Sequence, residues 1–212
     1  MKVISNTMPQ SFLIEAIYDG ECDVVFATNI TEHSIQGEDE EVIKEYQYDL
    51  YRMRMPYSDS LETRIEANYD TWLNLAITTN LNAIKTEKNT EVRTACENAI
   101  VAGVDVETTY GLEHFSLTTH DQQNLATIKM MIDSGINGYP YHADGKQCVL
   151  YSAIDLGNII ETATRHVAYH TTYCNMLRVW IGRETNNDVV NNIYYGIALP
   201  EDLAEDMEEL LG

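Results

Sequence analysis

From Leu156 to Ile181 eight residues recur at steps of four and three without a break: Leu156, Ile160, Ala163, Val167, His170, Cys174, Leu177 and Ile181. Only a helix brings residues so spaced onto one stripe, and a stripe this long must be covered by another element. The spacing predicts a helix of about thirty residues, opened by Ser152 as N-cap with Asp155 three positions on. Two covers are open. One is the amphipathic stretch Thr119–Asp133 of the same chain, and the other is the same helix of a second copy in a homo-oligomer.

The rest of the chain divides around that helix. Ser11–Tyr18 and Cys22–Ile30 are rich in Ile, Val, Phe and Tyr and flank Asp19-Gly20, a pair suited to the left-handed positions of a hairpin turn; a helix over Ser11–Tyr18 is the competing reading. Glu38–Glu41 reads as an acidic loop. Glu45–Tyr57 reads as a third strand that Pro56 closes or marks as an edge. Asp59 or Ser60 then caps a helix carrying Leu61, Ile65, Tyr69, Trp72 and Ala76, with a bend or loop over Thr78–Asn89 and a stop at Gly103. Val104–Leu117 reads as a strand pair around Gly111. Thr119 with Gln122 forms a capping-box pattern, and Tyr139–Tyr151 a hairpin turning at Asp144-Gly145.

These elements give an α+β chain with a β-rich N-terminal module and a mainly helical C-terminal half containing a hairpin and the seam helix. The expected divisions are 1–57, a β-rich docking module; 58–103, a helical connector; 104–183, an α+β C-terminal domain; and 184–212, a polar linker with an acidic arm. In that arm Leu199, Leu203, Met207, Leu210 and Leu211 make one apolar stripe among six carboxylates. It is either a docking arm for a neighbouring protein or a frayed end.

Charge narrows the function. Lys and Arg number 13 against 34 Asp and Glu, a formal net charge of -21, so phosphate backbones and anionic lipid surfaces would repel the chain. No nucleic-acid or membrane partner is expected, and proteins are the expected partners. Disorder does not explain the charge, because 44% of the residues are hydrophobic. No stretch approaches a membrane span, and the N-terminal residues lack the apolar core of a signal peptide. Cys22, Cys96, Cys148 and Cys174 are dispersed, which suggests reduced and mostly buried thiols in a reducing compartment.

Candidate chemistry is sparse. His166, His170 and Cys174 stand at i, i+4 and i+8, and His142 and Cys148 lie in the preceding hairpin, so the five could offer zinc ligands. His170 and Cys174 are also members of the apolar seam, and packing explains them more simply. Asp133–Asp144 resembles a calcium loop at Asp133, Asn137, Gly138 and Asp144 but departs from it at Gly135 and Pro140. Asp121 and Asp155 sit in first helical turns, where capping outranks catalysis. No phosphate-binding glycine loop, nucleophile elbow or H-E-x-x-H motif occurs. No cofactor and no catalytic residue is expected. Fourteen tyrosines against three phenylalanines suit surfaces that become interfaces.

Three segments in order, HFSLTTHDQQNL (His114–Leu125), YPYHADGKQCVLYSAIDL (Tyr139–Leu156) and HVAYHTTYCNMLRVWI (His166–Ile181), resemble a C-terminal domain of unknown function found in tail and baseplate proteins of bacteriophages infecting Gram-positive bacteria. VVFATNITEH and EYQYDLYRMRMPY are similar, less closely, to the β-rich N-terminal module of such tail proteins. The resemblance implies a structural role in a phage tail, at the baseplate or where a fibre is attached. It implies a virion location after assembly in the host cytoplasm, and contacts with other tail or baseplate proteins and with fibre protein. It carries over no catalytic residue. Family members can hold an aromatic residue where this chain has Cys174, which weighs against zinc. The alternative in the same setting is a tail-fibre assembly chaperone absent from the mature particle, and outside it a zinc-binding module or enzyme. The residues expected at protein contacts are Leu156, Ile160, Val167, His170, Cys174, Leu177 and Ile181 of the seam and Leu199, Leu203, Met207 and Leu210 of the arm.

Overall fold

A computed structural model describes residues 2–16, 18–36 and 42–212 and shows an α+β chain. It forms two compact units, Met1–Ile84 and Lys85–Gly212. The acidic run Glu38–Glu41 lies outside the described residues. Among those described, no helix is long and apolar enough to cross a membrane.

The first unit contains strands β1 (Lys2–Ser5), β2 (Phe12–Ala16), β3 (Glu21–Gln36) and β4 (Val42–Pro56), antiparallel in the order β1-β4-β3-β2. Asp19 and Gly20 both adopt positive φ, so the expected hairpin forms where only such residues turn easily. β4 ends at Pro56, as its missing N–H requires. Helix α1 (Leu61–Ala67) stops at Asn68, and α2 (Tyr69–Val101) starts there. At the interruption within the expected helix Asn68 leaves helical geometry (φ -139, ψ 39), its N–H bonds the Ile65 carbonyl, and the Arg64 carbonyl accepts the Trp72 indole N–H at 3.2 Å. Cys22, Val24, Phe26 and Met53 of the sheet close on Leu61, Ile65 and Ala76.

Asn29 takes a left-handed conformation (φ 52) at a bulge that breaks the β3–β4 register between Thr28 and Thr31. Its amide donates to Asp49 at 2.8 Å. Before the bulge β3 is buried from Cys22 to Ala27, and from Thr31 to Gln36 it is exposed. From His33 opposite Glu45 to Gln36 opposite Val42, past the last β1 pair, the hairpin continues as a two-stranded ribbon with Ile35 opposite Ile43.

The bend expected over Thr78–Asn89 is absent, and α2 is continuous there. Thr78, Asn80, Asn89 and Thr90 each hydrogen-bond the carbonyl four residues earlier, at 2.7–3.0 Å. Their polarity is satisfied along the helix instead of breaking it.

The second unit has hairpin β5 (Val104–Thr108) and β6 (Gly111–Phe115), helix α3 (Thr119–Asp133), hairpin β7 (Gly138–Tyr141) and β8 (Val149–Ser152), the 31-residue helix α4 (Ala153–Arg183), the short α5 (Asn187–Asn191) and α6 (Glu201–Leu211). Gly103 stops α2 with φ +83. The cap of α3 is Thr118, one residue before the expected Thr119, and its box partner is Asp121. Gln122 instead reaches back to the Leu117 carbonyl at 2.9 Å. Ser152 caps α4 by accepting from the Asp155 N–H. The core joins both hairpins to α3 and α4 through Phe115, Leu117, Leu125, Tyr151, Leu156 and Ile159. Along the α4 seam Leu156, Ala163, Cys174, Leu177 and Ile181 are buried, and Ile160 and Val167 are half-buried against the core that holds Leu156 and Ala163.

Candidate functional site

Two side-chain clusters and one cleft gather the chemistry-bearing side chains of the second unit. The first cluster centres on Glu113, 4% exposed in strand β6. Its carboxylate accepts from the Thr108 hydroxyl at 2.7 Å, the Tyr151 hydroxyl at 2.8 Å and the Lys146 ammonium at 2.8 Å. Burial pushes the Glu113 pKa up, but the bonds from Lys146, Thr108 and Tyr151 outweigh it and leave it lowered. Burial, and then the Glu113 carboxylate, pushes the Tyr151 hydroxyl up, in keeping with its donating to that carboxylate. Asp155 is held likewise by the Thr109 N–H at 2.9 Å and by the Thr109 and Ser152 hydroxyls. These carboxylates tie the hairpins to the first turn of α4.

The second cluster is the aromatic row of α4. His166 donates to the Ala99 carbonyl at 2.9 Å, and its ring packs edge-on to His170 at 4.3 Å. His170 bonds the Tyr195 hydroxyl through Nδ1. Burial, and then neighbouring His166, lowers the His170 pKa, so the ring is neutral near pH 7. Cys96 donates to the His170 carbonyl at 3.3 Å. Burial and the adjoining Cys174 push the Cys96 thiol up to about 12, which leaves it unreactive.

The five zinc candidates are not brought together. His166, His170 and Cys174 share the helix, but His142 stacks on Tyr141 and Cys148 is exposed in the hairpin. Among the described residues no three His, Cys, Asp or Glu converge as metal ligands. The calcium-loop candidates also separate, with Asp133 paired to Lys129 and Asp144 bonded to Ser116.

Beside the aromatic row lies an open cleft of about 830 Å³ between α4, the segment 194–199 and α6. Tyr169 and Tyr173 stack in parallel along α4, and Tyr173 meets Tyr195 edge-on at 5.3 Å. The Tyr173 hydroxyl donates to the Ile197 carbonyl and accepts from the Gly196 N–H at 3.0 Å. Leu203 and Met207 of the arm are buried, Leu199 is half-buried, and Leu210 is 67% exposed. Arg183 at the end of α4 pairs with Asp202 at the start of α6, one nitrogen approaching at 2.9 Å.

Tyr195 and its segment escape a reading based on polarity. The asparagines of this stretch give it the composition of a linker, yet Asn186 caps α5 and Val190 and Ile193 are fully buried. The spacing of Val190, Ile193 and Ile197, three then four, is the signal that the asparagines obscure. Comparison of the chain with family models, with curated proteins and with solved structures gives no match.

Proposed function

We propose that this chain is a structural component of a bacteriophage tail, at the baseplate or at the attachment of a tail fibre, and that it works through protein–protein contacts without catalysis. The observation that carries this is how the three resembling segments are used. The apolar residues of the first two, Phe115, Leu125, Tyr141, Tyr151 and Leu156, form one core, and Val167 of the third packs against it. Their polar residues are absorbed by caps and by the carboxylate clusters: Thr118 with Asp121, Ser152 with Asp155, and Lys146 with Tyr151 on Glu113. Segments that specify a scaffold in this way fit a structural module better than an enzyme, where perturbed groups converge on a substrate space. The exposed β3–β4 ribbon adds a surface able to meet neighbours.

Mass spectrometry of purified particles assembled with this chain tests the proposal. The chain is expected at a fixed number of copies per particle. Its presence in lysates but absence from particles would instead fit a fibre-assembly chaperone.

A further inference from the structure

The C-terminal helix forms a wall of a cleft in its own chain instead of extending away as a free arm. Ala204, Met207, Glu208 and Leu211 of α6 face the cleft over two helical turns, roughly 10 Å of helix. The opposite wall is aromatic, and two of its hydroxyls are occupied: Tyr173 by Ile197 and Gly196, Tyr195 by His170. Leu211 and Tyr169 remain 39% and 49% exposed at its edge. Apolar side chains would find surface on both walls.

Charge selects the occupant. α6 carries Glu201, Asp202, Glu205, Asp206, Glu208 and Glu209, and among the described residues only Asp202 is in an ion pair, with Arg183. Helical spacing sets Glu205 beside Glu208, and Glu208 itself lines the cleft. A second copy of a chain with net charge -21 would meet like charge here. We infer that the cleft docks a basic amphipathic helix of a partner protein. Apolar residues one and two turns apart on that helix rest against Tyr169, Met207 and Leu211, and its Lys or Arg residues face Glu205 and Glu208. This names a partner class and rests on the contact-protein reading, but it does not require the partner to be a tail component.

Fluorescence anisotropy with the full chain tests it. One probe is a labelled synthetic helix with a leucine face and a lysine face, and the second replaces each leucine by serine. The leucine probe is expected to bind at least about tenfold more tightly, and Leu211→Arg and Tyr169→Arg should each weaken it about tenfold or more. Glu107→Lys, an exposed change outside the cleft, should stay within about twofold, which separates cleft binding from general attraction to an acidic protein. Absence of binding, equal binding of the two probes, or indifference to both cleft variants would overturn the assignment. So would a dimer in sedimentation that Leu211→Arg disperses, since a second copy would then fill the cleft. Absence of the chain from purified particles would remove the tail reading and leave the peptide result standing.

Discussion

His114 and Asp105 face each other across the β5–β6 ladder, with the imidazole Nδ1 2.7 Å from the carboxylate, while the same ring's Nε2 lies 2.8 Å from the Ala102 carbonyl. Both ring nitrogens meet acceptors, and only the doubly protonated ring can donate to both. The bond to Asp105 raises the His114 pKa, against a smaller opposing effect of burial. A raised folded pKa gives stability that is fully present below the unfolded value near 6.5 and is lost as pH rises through the folded value. Thermal unfolding of the wild type and His114→Gln should therefore differ most near pH 6, and the gap should shrink toward pH 8.5. A gap independent of pH would contradict this.

Glu113 has the opposite sign. Its lowered pKa gives stability above the unfolded value of about 4.3 that is lost as pH falls through the folded value. Glu113→Gln should cost about 1–3 kcal/mol at pH 7 by urea denaturation, because Lys146, Thr108 and Tyr151 lose a charged acceptor. The cost should shrink below about pH 4, where the wild-type carboxylate also takes up its proton.

Two glycines should respond in opposite directions to alanine. At Gly103 a Cβ would lie 2.1 Å from the Phe115 carbonyl oxygen on a backbone with φ +83, so Gly103→Ala should destabilise by at least about 2 kcal/mol. Gly157 lies inside α4 with nothing within 4 Å of the place an alanine methyl would take, and Gly157→Ala should stabilise by about 0.5–1 kcal/mol. Chemical denaturation of both variants checks the pair.

The start of α3 distinguishes adjacent threonines. Thr118→Ala removes the side chain that accepts from the Asp121 N–H and should cost about 1 kcal/mol. Thr119→Ala, exposed and outside the cap, should stay within about 0.5 kcal/mol. Equal losses at both would place the cap elsewhere.

His166 and His170 are bonded to the Ala99 carbonyl and to the Tyr195 hydroxyl, so they tie α4 to the end of α2 and to the turn after α5. Prolonged dialysis against a chelator should leave the melting temperature unchanged. A drop of several degrees, restored by zinc, would show that these residues serve a metal.

Sequence patterns reveal most where backbone geometry restricts residue choice. Asp19-Gly20, Gly103 and Gly145 adopt positive φ at the expected turns and helix end, and the α4 seam follows from its spacing. Elements lacking such restrictions are harder to read. Strand β1 has only four residues, and the polar middle of α2 satisfies itself by side-chain bonds that composition does not reveal. In the cleft, Tyr169, His170 and Tyr173 share one helix and can be grouped from periodicity. Tyr195 joins them only through the turn after α5, and Glu113 meets Lys146 only through the pairing of two hairpins with one core.

Electron cryomicroscopy of the intact particle would show whether this chain is built into the tail. Density matching the second unit, with α4 packed between α3 and α6, is expected at the baseplate or at the root of a fibre in a fixed, symmetric copy number. A complete tail map in which all density is assigned to other chains would contradict a structural role for this protein.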